Sequence, residues 1–260
     1  MSECEHIKVA VEGPTAFVTI DRPESRGAMS RAMWLALPRA LTTAASNESV
    51  RALVLRGTEG NFVSGADITE FEQLRADPEL ARDYDRGAED TLRVLADLPV
   101  PSIAEIGGPC IGGGCLIASG CDLRIASRRA RFGIPAGRLG LAYPYPALER
   151  LVAILGEATA LELALTARVI DADEAAALGL IHQATDEDAL ADAVGETVSR
   201  IADSAPLALR YLRLAIRRSQ SSRIDAERIA ALASDCYASE DYREGVTAFL
   251  EKRAPRFRGV

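Results

Sequence analysis

The chain has 260 residues, 48% of them hydrophobic, and a formal net charge of −8. That length and apolar share are enough for a sizeable core, and the acidic balance argues against nucleic acid or an anionic membrane surface as partner. No basic start followed by an apolar run marks a secretory signal. The longest apolar region, 151–170, is interrupted by Glu157, Glu162 and Arg168, so no membrane span is expected.

In chain order, "IKVAVE" and "TAFVTID" read as two short strands joined at Gly13-Pro14. Ser30 is the candidate N-cap of a helix running to about Asn47, with Pro38 as a potential kink. "RALVLRG" reads as a buried strand ending at Gly57. The polar stretch from Val63 to Asp85 lacks apolar periodicity and reads as a mobile excursion with some helix; a firmer helix is expected from about Asp85 to Asp97. "PSIAEI", "DLRIAS" and "ARFGI" are further strands, and after Pro146 the chain reads as mostly helical. There, Leu209, Leu212 and Ile216 form one apolar stripe, and Ile229, Leu232 and Cys236 another. The expected organisation is a mixed α/β core over 1–195 and a helical C-terminal region over 196–260, with strand–strand–helix order recurring loosely.

Five cysteines (Cys4, Cys110, Cys115, Cys121 and Cys236) form no C-x-x-C pair, which points to a reducing, cytoplasmic setting. Their spacing matches no usual zinc pattern, and only His6 and His182 are present to assist. They read as small apolar fillers, and no metal site is expected.

Two glycine-containing turns follow strands: "NFVSGADI" and "GGPCIGGGCL". Each is suited to present a backbone N–H at a helix start, where the first amides lack intrahelical partners and the dipole favours negative charge. Two such amides converging on one point make an oxyanion hole; tight turns and close packing are the other reading. A phosphate loop is disfavoured, since no G-K-[ST] follows the glycines.

"DRPESRGAMS", "GNFVSGADI", "PSIAEIGGPCIGGGCLIASGCDLRIAS", "ARFGIPAGRLGL", "IDADEAAALGLIH" and "YREGVTAFLEKRAPRFRG" together resemble the enoyl-CoA hydratase/isomerase (crotonase) family over nearly the whole length. The resemblance implies an α/β, crotonase-like spiral of repeated ββα units with a helical C-terminal trimerisation region, assembled as a homotrimer or a hexamer of two trimers. It implies an acyl-CoA substrate and no separate cofactor, coenzyme A entering as part of the substrate. Ala66 and Gly113 match the positions whose N–H groups hold the thioester oxygen and stabilise an enolate. Ala66, Asp67, Ile68 and Thr69 match the segment lining the adenine and pantetheine path. Phe249 and Lys252 match positions that help hold coenzyme A; a packed phenylalanine and a solvated lysine are the alternatives. Arg22 is read either as a CoA-phosphate contact or as a surface arginine, and Asp67 as a brace of its own loop.

The match breaks at two positions. The two glutamates of the family's hydratases fall at Leu116 and Ala136, and an aliphatic side chain carries no proton. Tyr143 stands where the decarboxylase branch also carries a tyrosine, and with an ordinary pKa near 10 it is a better donor than base. Tyr145 and Glu149 are further candidates, and Glu105 is either a relocated acid or half of an ion pair. Three readings follow: a lyase or isomerase of this family, a malonyl-type CoA decarboxylase, or a non-catalytic acyl-CoA-binding protein.

Overall fold

Alternating apolar residues build the first strands, β1 (Ile7–Glu12) and β2 (Thr15–Ile20), reversed at Gly13 with φ +57°. This computed structural model describes residues 4–71, 76, 78–219 and 226–260. β3 (Ala52–Gly57), β4 (Ser102–Ile106), β5 (Pro109–Ile111), β6 (Leu123–Ser127), β7 (Arg131–Gly133), β8 (Val169–Asp171) and β9 (Gln183–Thr185) follow. A six-stranded sheet has the order β1-β2-β3-β4-β6-β9, antiparallel at β1/β2 and parallel elsewhere. A three-stranded sheet, β5-β7-β8, runs alongside. The chain thus winds as a spiral: a long strand in one sheet, a short strand in the other, then a helix. The segments β4, β5, Gly113–Gly120 and β6, β7, Ala136–Leu139 are two successive turns.

Period-two alternation gives the large sheet two buried faces. Ala16, Val18, Ile20, Leu53, Leu55, Ala104 and Ile106 meet the helices Arg31–Ala45 and Gly113–Gly120 in the main core. Ala52, Val54, Ile103 and Ile125 meet Leu190, Val194 and Val198 of the helix Leu190–Ala202 on the other face. Ser30 caps the first helix, its side chain accepting from the Met33 N–H at 3.3 Å, and Pro38 lies within that helix.

Several local expectations are corrected. The helix leading to Asp97 begins at Pro78, not near Asp85. It is amphipathic on a mostly polar background, so its apolar face registers only against a partner. Residues 72–75 and 77 of the excursion lie outside the described residues. β8 and β9 appear beyond Pro146, where mostly helix was expected and no strand was placed; three-residue strands are too short to show a period. Leu212 and Ile216 are exposed, while Arg213 and Leu214 are buried. That helix, Pro206–Ser219, turns Arg213 and Arg217 inward because Asp122 and main-chain carbonyls wait for them.

Glu105 is no relocated acid. It shares the strand face of Ile103, opposite the glycine helix, and lines a cavity of about 330 Å³ with Phe17, Arg56 and Val194. It stands in register with Arg56 on the neighbouring strand, and burial raises its carboxyl pKa despite that cation.

Candidate functional site

Pairing between successive turns of the spiral creates the site. Val63 bridges Cys110 in parallel: the Val63 N–H donates to the Pro109 carbonyl and the Ile111 N–H to the Val63 carbonyl, both at 3.0 Å. Ala66 and Gly113 each lie three residues past this bridge, one on each turn. They are therefore neighbours: a methyl group built on Gly113 would sit 3.8 Å from the Gly65 carbonyl carbon, which is bonded to the Ala66 nitrogen. On its other side this loop is bridged to Met29, whose N–H donates to Gly65 O and whose carbonyl accepts from the Asp67 N–H, both at 2.9 Å. Met29 thus takes the groups flanking Ala66 and leaves the Ala66 N–H free. Among the described residues, neither the Ala66 nor the Gly113 amide donates to the protein. Both residues are only partly buried.

The glycine triplet is what permits this approach. Gly112, the N-cap, has φ +52° and ψ −108°, a backbone state that side chains disfavour. At Gly114 a Cβ would lie 2.3 Å from the Val63 carbonyl oxygen, so the helix start rests directly on the preceding turn. Gly113 is the first residue of the helix, and its amide has no intrahelical acceptor.

The surrounding polar groups hold the loop. Asp67 accepts from the Thr69 N–H (3.0 Å) and hydroxyl (2.6 Å) and from Arg22 (2.7 Å). Burial opposes its ionisation, but the hydrogen bonds from Thr69 and Arg22 outweigh burial and keep the carboxyl below its ordinary value. Arg22 also donates to the Ala28 carbonyl at 3.0 Å, so its guanidinium is engaged within the loop. Ile68 and Thr69 are exposed beside it.

Leu116 and Ala136, the positions at which the resemblance places the hydratase acids, carry no titratable group. Leu116 is buried in the main core, and Ala136 opens a short helix, half-buried. Tyr143 donates its hydroxyl hydrogen to the Gly112 carbonyl, which also accepts from the Leu116 N–H at 3.1 Å. Burial, then the nearby Cys115 and Cys110, push the phenol well above its ordinary pKa, so it stays a neutral donor. Tyr145, Glu149, Phe249 and Lys252 are exposed, and Lys252 is the left-handed C-cap of the helix Glu240–Glu251. Cys110, Cys115 and Cys121 are buried thiols, and burial pushes Cys121 up to about 12.

At its far end the Gly113–Gly120 helix meets cations that the sequence reading passed over. Arg124 donates to the Cys121 carbonyl (2.8 Å), Arg150 to Ser119 (3.0 Å) and Arg217 to Gly120 (2.8 Å). Positive charge at a helix C-terminus and unpaired amides at its N-terminus suit a negative charge at the N-terminus.

Fold and site together define an α/β spiral of the crotonase type. A family model described as enoyl-CoA hydratase/isomerase matches residues 11–260. The short-chain-enoyl-CoA hydratase of Clostridium acetobutylicum is 33% identical, covering 96% of this chain and 97% of its own. The 2,3-dehydroadipyl-CoA hydratase of Escherichia coli is 31% identical over 93% and 94% of the two chains. A solved enoyl-CoA hydratase/carnithine racemase from Magnetospirillum magneticum superposes with a TM-score of 0.92 at 36% identity, covering 99% of this chain and 97% of that one. The chain belongs to the enoyl-CoA hydratase/isomerase family.

Proposed function

We propose that the protein is a lyase or isomerase that binds an acyl-CoA thioester with its carbonyl oxygen between the Ala66 and Gly113 amides. The carrying observation is that these two N–H groups, adjacent across successive turns, have no acceptor among the described residues. Such donors stabilise the enolate that forms when the α-carbon becomes negative. In this reading Asp67 and Arg22 hold the loop, Ile68 and Thr69 line the coenzyme A path, and the acyl site lies within residues 1–195. The 196–260 region assembles a homotrimer or a hexamer of two trimers, with Phe249 and Lys252 reaching coenzyme A. An apolar groove of about 610 Å³ supports association there; Leu212, Tyr237, Tyr242 and Phe249 line it. Its exposed aromatic surface suits a second copy of the chain. Assay of the purified protein on a panel of enoyl-CoA chain lengths tests the proposal: turnover of at least one thioester is expected, and turnover of none overturns it.

A second reading, decarboxylation of a malonyl-type CoA, is favoured by the aliphatic side chains at Leu116 and Ala136. Loss of carbon dioxide leaves the electron pair as an enolate without requiring a base. Tyr143→Phe then lowers turnover of the malonyl-type substrate severalfold, through loss of the hydrogen bond to the Gly112 carbonyl. An unchanged rate removes Tyr143 from the mechanism.

A further inference from the structure

Each proposed oxyanion donor shares a peptide unit with the carbonyl just before it, and both of those carbonyls are themselves bonded. The Ala66 N–H belongs with the Gly65 carbonyl, which accepts from the Met29 N–H at 2.9 Å. The Gly113 N–H belongs with the Gly112 carbonyl, which accepts twice. The Leu116 N–H donates to it at 3.1 Å as the first bond of the glycine helix, and the Tyr143 hydroxyl donates as well. On the other side of the residue, the Gly112 N–H donates to the Gly133 carbonyl at 2.8 Å, so the turn is pinned from both directions. Of the three donors behind the two oxyanion peptides, Tyr143 alone is a side chain. Leu116 already gives the Gly112 carbonyl its helical partner, so the phenol adds a second donor to a paired acceptor.

A hydrogen bond accepted by a peptide carbonyl draws electron density toward the oxygen and leaves the N–H of the same unit more positive. That N–H becomes a stronger donor, by about 10–30% per bond. The effect requires a phenol that keeps its proton. Burial, with Cys115 and Cys110 close by, holds the Tyr143 hydroxyl well above its ordinary pKa, against an opposing contribution from the Leu116 N–H. Tyr143 packs against the main core, which fixes the direction of its O–H bond.

We infer that Tyr143 is a positioning residue whose hydroxyl aims and polarises the Gly112–Gly113 peptide, so that the Gly113 N–H holds developing negative charge on the thioester oxygen more strongly. In this role the phenol needs no contact with substrate. The inference rests on the acyl-CoA reading above, and it applies to any reaction that passes through the enolate, with or without loss of carbon dioxide.

The test reads the bound carbonyl itself. Butyryl-CoA isotopically labelled at the thioester carbonyl is bound to the protein, and infrared difference spectra give its C=O stretch. The wild-type band is expected below its position in water, because two amides polarise the bond. Tyr143→Phe should return the band part of the way toward the water value. It should also lower kcat about two- to eightfold on the substrate found by the thioester panel, with a smaller effect on KM. Replacing Tyr143 by 3-fluorotyrosine and by 3,5-difluorotyrosine keeps the hydroxyl and lowers its pKa stepwise, which makes it a better donor. While the phenol stays neutral, the band should then move further down in the order of phenol acidity. A wild-type band displaced from its water position that stays unmoved in Tyr143→Phe overturns the inference and leaves the oxyanion site standing. A shift in Tyr143→Phe with no graded order among the fluorinated variants marks packing alone and also overturns it. If Tyr143→Phe does not fold, the fluorinated series decides by itself. A wild-type band at its water position overturns the acyl-CoA reading and this inference with it.

Discussion

Asp122→Asn lowers the free energy of unfolding by about 3–5 kcal/mol, as expected when one member of a buried ion pair is neutralised. Asp122 accepts from Arg213 Nε at 2.7 Å and from Arg217 Nε at 2.9 Å. It also accepts from the Ser102 N–H (2.8 Å) and hydroxyl (2.9 Å). Both arginine side chains are at most 10% exposed, and Arg124 and Arg150 stand close by. Burial with these like-charged neighbours pulls Arg150 down to about 10, a sign of how much positive charge depends on one carboxylate. Asparagine keeps the volume and removes the counter-charge. Denaturant titration of the two proteins checks the result, and a loss below about 1 kcal/mol would mean that the carbonyls of Leu95, Leu98 and Gly120 hold the arginines unaided.

The same carboxylate gives an acid limb to stability. Burial opposes its ionisation, but Arg213 and Arg217 outweigh burial and hold its folded pKa below the ordinary 3.8. The unfolded chain therefore takes up this proton first as pH falls. The contribution is complete above the unfolded value and is lost as pH drops through the folded one. Asp122→Asn should lack that part of the acid limb, so the difference between the two proteins narrows as pH falls below 3.8.

Replacing the Ala66 amide lowers kcat about 10²- to 10³-fold, equivalent to roughly 2.7–4 kcal/mol of barrier for one lost oxyanion donor. Ala66→Pro removes the N–H, and amide-to-ester exchange at the same residue removes it without adding a ring. Among the described residues the Ala66 N–H has no acceptor, so the ester costs no native hydrogen bond at that nitrogen. Folding stability should fall by no more than about 1 kcal/mol for the ester, whose Gly65 carbonyl accepts more weakly from the Met29 N–H, while turnover collapses. Unfolding curves and initial rates on the substrate found by the thioester panel make the comparison. An ester variant retaining wild-type turnover removes Ala66 from the oxyanion site.

Much of this site can be read in the sequence because its parts are local. Ser30 as a cap, the strands before each glycine turn, and the resemblance that places Ala66 and Gly113 all depend on neighbouring residues. Short-range chemistry is enough to say where a helix starts or where a turn needs glycine. Period-two alternation likewise puts Glu105 on one face of its strand with Ile103.

Which face looks toward the glycine helix is settled only when the helix Leu190–Ala202 covers the other one. The inward turn of Arg213 and Arg217 also depends on distant partners: helical spacing favoured the leucine–isoleucine stripe, and Asp122, some ninety residues away, reversed the choice. Tyr143 reaches the Gly112 carbonyl across 31 residues of chain, a pairing that no local pattern shows. By itself the sequence determined the turns, the caps and the family, since these are written in adjacent residues. The tertiary structure alone decided which buried charges pair and which donors stay unpaired, because burial and partnership depend on residues far apart in the chain.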